Sequence, residues 1–145
     1  MAPLQKRALY SLLIGLVMVI ALVAVFVIKG DVTKFDEDEG FRFMVYGLWV
    51  GVPLVYLILV NITLRKPTQI DERDRRIMEK APKTQLLAVI FSLVAWVIAL
   101  TEIYWVEREV PLIFISLIMI STLIVSTLAQ SLGILIGYWR MNGNG

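Results

Sequence analysis

Four apolar stretches, separated by short polar segments, take up most of this chain: Ala8 to Ile28, Phe43 to Leu64, Thr84 to Thr101 (extendable past Glu102 to Val106), and Val110 to Trp139. Crossing the ~30 Å hydrocarbon core of a bilayer at ~1.5 Å per residue takes roughly 20 apolar residues. Each stretch is long enough. None alternates apolar and polar positions as a barrel strand does, and hydrocarbon offers backbone polar groups no partner outside the chain, so each stretch predicts a helix. The pattern therefore predicts an all-α fold, an integral membrane four-helix bundle. A single transmembrane domain covers residues 1–145, with spans at about 8–28, 43–64, 84–106 and 110–139 and a charged loop at 65–83.

Composition agrees with this reading. Hydrophobic residues make up 59% of the 145 and the mean hydropathy is +0.79, which leaves too little polar surface to cover a water-soluble domain of this length. The first stretch follows Lys6 and Arg7 as a secretory signal would. Its apolar core of 21 residues exceeds the apolar region of a signal and predicts a retained helix.

Lys and Arg stay preferentially on the cytoplasmic side of a membrane. The N-terminal tail, the 65–83 loop and the C-terminal tail together hold ten of them, against four in the two opposite loops: Lys29, Lys34, Arg42 and Arg108. Acidic residues divide the other way, eight outside and four inside, so the formal net charge of +2 separates into +6 and −4. Both termini and the 65–83 loop are thus expected in the cytoplasm, in a multi-pass protein of a prokaryotic cytoplasmic (inner) membrane. Tyr10, Tyr138 and Trp139 at one level and Phe41, Phe43, Tyr104 and Trp105 at the other fit interfacial aromatic belts.

With no Cys and no His, the chain has no disulfide, thiolate nucleophile, imidazole base, haem-ligating His or soft-ligand zinc site. No cofactor or metal is expected, nothing points to nucleic acid, and no spacing of Ser, Tyr or acids suggests an active site. An ionisable residue in mid-membrane is the usual mark of an ion or proton path. Apart from Glu102 at a helix end the stretches carry none, which separates this chain from small multidrug exporters with an acid in their first span.

The polar and small residues within the stretches point to helix packing. Lipid tails are as apolar as Leu, so membrane helices associate through close backbone approach at small residues and through interhelical hydrogen bonds. Gly47 and Gly51 stand four apart in the second stretch. Ser121, Ala129, Gly133 and Gly137 lie on one i, i+4 row of the fourth, flanked by Ser126, Thr127, Gln130 and Ser131. This row reads as a packing seam, within one bundle or between protomers. Gln130 has two readings, an interhelical hydrogen bond or a contact to a substrate or quinone; the first is preferred because a lone amide carries no chemistry of its own. In the external segment, Asp36-Glu37-Asp38-Glu39-Gly40 resembles the opening of a calcium loop. The required twelfth-position Glu is replaced by Gly47, so a solvated acidic hairpin is the better reading.

The loop between the second and third stretches holds the densest charge, Asp71-Glu72-Arg73-Asp74-Arg75-Arg76. Thr68 followed three residues later by Asp71 matches a helix-starting box, and Pro82 is expected to end the element, so a separate short helix over about 69–81 is predicted. Asp71 faces Arg75 and Glu72 faces Arg76 at i, i+4, while Ile70, Ile77 and Ala81 form a narrow apolar edge interrupted by Asp74. Asp71-Glu72-Arg73, then Ile77, then Lys80-Ala81 ahead of a membrane span resembles the Asp-Glu-Arg motif of a functionally uncharacterised family of small archaeal and bacterial four-helix membrane proteins. The resemblance spans about Asp71 to Thr84 and the overall hydropathy; it implies a fold and a location and no activity. Pro82 departs from the family pattern, in which the helix would run on into the third span.

The functional expectation is a non-enzymatic scaffold, accessory or regulatory subunit, a homo-oligomer or part of a membrane complex. Its partners are membrane lipids and whatever meets the cytoplasmic residues Asp71, Glu72, Arg73, Arg75, Arg76 and Lys80. The alternative is a small channel or transporter for a neutral or lipophilic solute, with the polar row of the fourth helix facing a cavity.

Overall fold

Local signals mark where each helix begins and ends. In the computed structural model, which describes residues 3–30, 32–35, 37–64 and 72–143, all the regular elements are helical. Helix α1 (Pro3–Lys29) starts on a proline, whose missing N–H costs nothing in a first turn. It stops at Gly30, which takes φ of 81° and returns its N–H to the Phe26 carbonyl at 2.8 Å, a left-handed cap that glycine adopts without strain. One 3-10 turn (Val32–Phe35) leads to α2 (Glu39–Leu64), and the Asp38 carboxylate caps that helix by accepting the Phe41 N–H at 3.2 Å. Helix α3 spans Glu72–Ile103 and α4 spans Ile113–Gly143.

Three of these helices are long and apolar enough to cross a membrane: Leu4–Lys29, Glu72–Ile103 and Ile113–Asn142. The 26-residue α2 covers the second apolar stretch.

Helix α3 corrects the expectation of a separate charged helix ending at Pro82. It runs unbroken for 32 residues through Pro82 into the third apolar stretch. Proline removes one backbone hydrogen bond, here to the Met78 carbonyl. Met78 and Pro82 are both exposed. Ile77 and Ala81, about 100° round the helix, are buried and hold it in line. The proposed cap Thr68, together with Gln69, Ile70 and Asp71, lies outside the described residues.

Helix α4 is the hub: its most extensive packing is with α3, then α1, then α2, and α1 also packs on α2. Both α1 and α3 run antiparallel to α4. At one end Leu4, Ile77 and Tyr138 form a small apolar cluster that joins the starts of α1 and α3 to the finish of α4. The main core lies toward the other end and joins Met18, Phe35, Phe41, Val45, Ile113 and Ile120. Phe41, fully buried, receives Phe26 and Phe35 edge-on at 5.5 and 5.6 Å between ring centres. Such pairs contribute about 0.5–1.5 kcal/mol each. Beside them, Lys29 donates to Asp38 at 2.7 Å and ties the end of α1 to the start of α2.

The outer faces are strongly apolar. Leu13, Val17, Ile20 and Val27 on α1 and Leu86, Ile90, Phe91 and Val97 on α3 are all exposed.

Candidate functional site

The first two turns of α3 divide their charges between two faces. Asp74 falls on the inner face with Ile77 and Ala81, three and seven residues on, and is itself buried. Its carboxylate accepts a hydrogen bond from the Tyr138 hydroxyl on α4. A buried carboxylate that lost such a donor would cost about 1–3 kcal/mol or more. The contact therefore pins the charged start of α3 to the finish of α4. Nothing local in the sequence marks it, because the partners lie 64 residues apart and Asp74 reads only as a break in an apolar stripe.

The other charges face outward. Glu72, Arg73, Arg75, Arg76 and Lys80 are exposed, whereas Asp71 lies outside the described residues. Arg75 pairs with Glu79 at 3.7 Å, i, i+4 with the base first; the expected acid-first partner, Asp71, is not among the described residues. Arg73 donates to the Asn142 side chain at 2.6 Å, a second tie between α3 and α4. Glu72, Arg73, Arg76 and Met141 line an open groove of about 280 Å³. Among the described residues Arg76 has no hydrogen bond or ion pair.

Along the α3–α4 seam, small residues bring the two helices close. A Cβ added at Gly133 would stand 3.6 Å from the Ala81 Cα and 3.4 Å from the Thr84 Cβ; at Gly137 it would stand 3.0 Å from Ile77 Cγ2. Ala129 and Ser131 are buried. Beyond the Tyr138–Asp74 and Arg73–Asn142 contacts, two more hydrogen bonds cross the seam among the described residues: Gln85 donates to Ser126 at 2.6 Å, and the Trp96 indole donates to Ser121 at 2.8 Å. Thr127 and Ser131 donate to backbone carbonyls of α4 itself, Leu123 at 2.9 Å and Thr127 at 2.8 Å. Gln130, expected to bond across helices, is half-buried and has no hydrogen bond among the described residues; Gln85 and Trp96 supply the polar ties instead.

Gly47 and Gly51 lie away from the seams within this chain. A Cβ at either would meet nothing within 4 Å, so neither packs against another helix of this chain. The packed face of α2 is Phe41, Val45 and Val52, and at about 100° per residue Gly47 lies roughly opposite Val45. Close approach does occur at Gly15, which no small-residue pair announced: an added Cβ would come within 2.6 Å of Leu128 Cδ2.

At the other end, Lys29 and the Phe41 N–H hold the Asp38 carboxyl below the usual carboxylate range, the lysine hydrogen bond being the larger cause. This acid serves the turn between α1 and α2. No group of three or more acids that could hold a metal ion occurs among the described residues. Two buried polar atoms, Nη2 of Arg7 and Oγ1 of Thr122, have no hydrogen-bond partner there. Searches against protein-family models, curated proteins and solved structures matched nothing to this chain.

Proposed function

We propose that this chain is a non-enzymatic multi-pass membrane protein, a four-helix bundle with both termini and the start of α3 in the cytoplasm. In this reading it works as a scaffold, accessory or regulatory subunit through the charged face of α3. The observation that carries the reading is the split of α3: Arg73, Arg75, Arg76 and Lys80 point outward from a helix whose inner face is locked to α4 by Asp74 and Tyr138. A charged surface on a fixed frame loses little conformational freedom when a partner docks. The inner-face contact also gives Asp74 a role apart from the self-paired surface charges.

Two further observations support the membrane placement. The exposed faces of α1 and of α3 from Leu86 to Leu100 are almost wholly apolar, a surface that suits hydrocarbon and that water-soluble proteins rarely present. The end that gathers the start of α1, the start of α3 and the finish of α4 is also the end where Lys and Arg concentrate, as the positive-inside rule requires of a cytoplasmic face. The resemblance to the Asp-Glu-Arg family accords with that location.

The channel reading needs the polar row of α4 to face a cavity. Instead Ser121 and Ser126 bond to α3, and Gly133 and Gly137 lie against its side chains, which favours the scaffold. Replacing Arg73, Arg75 and Arg76 together by Ala and comparing crosslinked co-purifying proteins tests the proposal. Loss of specific partners is expected, and an unchanged set would remove the docking role from this face.

A further inference from the structure

We infer that the groove between the start of α3 and the end of α4 binds the phosphate of an anionic phospholipid from the adjoining leaflet. The inference rests on the membrane reading above and identifies the partner of one part of that surface.

Three features converge. The groove carries two guanidiniums, Arg73 and Arg76, one turn apart on α3. Arg73 is already oriented, because the Asn142 side chain accepts one of its N–H groups at 2.6 Å and leaves the rest of its donors to a ligand. Arg76 has no hydrogen bond or ion pair among the described residues, so its guanidinium is open to a ligand. Planar guanidiniums are suited to phosphate because two N–H groups can meet two oxygens at once.

Charge and size narrow the ligand. Glu72 lines the same groove and offsets one of the two arginines, leaving a net single positive charge, which matches the single negative charge of a phosphodiester better than a dianion. A volume of about 280 Å³ lies just under the range of drug-sized sites, about 300–1,000 Å³, and suits a head group. The surrounding charges do not oppose this. Asp74 is taken up by Tyr138, Glu79 pairs with Arg75, and the same end exposes Lys6, Lys80 and Arg140.

Position selects a lipid over a free phosphate. Met141, the apolar wall of the groove, comes two residues after Trp139, where the apolar stretch of α4 ends, a rise of only about 3 Å along the helix. If α4 crosses the bilayer, the groove lies at head-group level beside an exposed Trp139. A bound phosphodiester would sit there with its acyl chains directed along the exposed apolar residues of α4, Trp139, Ile136 and Leu132.

The test uses the full chain purified in mild detergent and offered phosphatidylglycerol or phosphatidylcholine of equal chain length, with retained lipid counted by native mass spectrometry. The wild type should retain phosphatidylglycerol about tenfold better, given what each basic residue contributes near anionic lipid. Arg76→Gln and the double variant Arg73→Gln/Arg76→Gln should lose most of that preference, while Lys34→Gln, an exposed base at the opposite end, keeps it. Equal retention of the two lipids by the wild type, or an unchanged preference in the double variant, overturns the proposal. So does loss of the phosphatidylglycerol preference in 10 mM inorganic phosphate at constant ionic strength, which would assign the groove to a free phosphate. Failure of the membrane reading would show differently, as a chain that stays soluble and monodisperse without detergent.

Discussion

Replacing Gly137 by Ala should loosen the α3–α4 seam, whereas the same change at Gly47 should tighten its helix. The new methyl at 137 would stand 3.0 Å from Ile77 Cγ2 and 3.2 Å from Cγ1, against an optimum of about 3.5–4.0 Å between carbons. Ile77 cannot turn aside: it is 2% exposed, it packs on Leu4 and Tyr138, and a β-branched side chain in a helix has one strongly preferred rotamer. The helices must therefore separate by a few tenths of an ångström, and overpacking of this kind costs about 1–3 kcal/mol. Alanine regains about 0.5–1 kcal/mol of helix propensity over glycine, so the net loss is of order 1 kcal/mol. At Gly47 nothing lies within 4 Å, and only the gain of about 0.5–1 kcal/mol applies. Reversible unfolding in detergent micelles, followed by circular dichroism, should move the two variants in opposite directions. In an Ile77→Ala background, which removes both crowding carbons, Gly137→Ala should turn neutral or stabilising. Equal shifts for Gly137→Ala and Gly47→Ala, or a Gly137 effect indifferent to Ile77→Ala, would refute the close-packed seam.

Tyr138→Phe should destabilise by about 1–3 kcal/mol, because it leaves the buried Asp74 carboxylate without its hydroxyl donor; Tyr10→Phe, at a 62% exposed position, should change less than about 0.5 kcal/mol in the same assay. Arg108 holds φ of 57°, a left-handed conformation that side chains other than Gly, Asn and Asp adopt at some cost, so Arg108→Gly should stabilise the turn between α3 and α4 by up to about 1 kcal/mol in thermal melts. Because Lys29 and the Phe41 N–H depress the Asp38 pKa below its unfolded value, their contribution is fully present above the ordinary carboxylate range and is lost as pH falls through the lowered value. Asp38→Asn should flatten the acid limb of the stability–pH curve and leave the neutral region with a smaller margin, read from melts across a pH series.

The parts of the fold that depend on segment length were open to sequence reasoning. Ala8 to Ile28 and Val110 to Trp139 are uncharged, largely apolar runs; α1 covers the first, and α4 covers the second from Ile113 onward. Pro82 misled, because a helix breaker acts locally whereas the continuity of α3 is supported by packing of Ile77 against Gly137 and of Ala81 against Gly133, on a helix far along the chain. Asp74 was visible as a residue on the wrong face of an amphipathic helix, yet its meaning lay in a tyrosine on another element. Small residues told a similar story. The pair Gly47 and Gly51 advertises a flat helix surface without naming what covers it, and Gly15, alone in its stretch, gave no sign that Leu128 would lie against it. For the candidate surface, the identities of the charged residues were legible; the division into one buried acid and an outward basic row required the seam.

The claim on which the account depends is that the chain spans a membrane with the charged start of α3 in the cytoplasm. Its lack of cysteine makes this directly measurable, since any thiol introduced is the sole one. Glu37→Cys and Arg75→Cys place thiols at exposed positions near opposite ends of the helices. In intact cells an impermeant maleimide should label the cysteine at position 37 at once and the one at position 75 only after permeabilisation. Labelling of position 75 from outside with protection of position 37 would invert the topology, and equal labelling of both before permeabilisation would contradict the membrane-spanning fold.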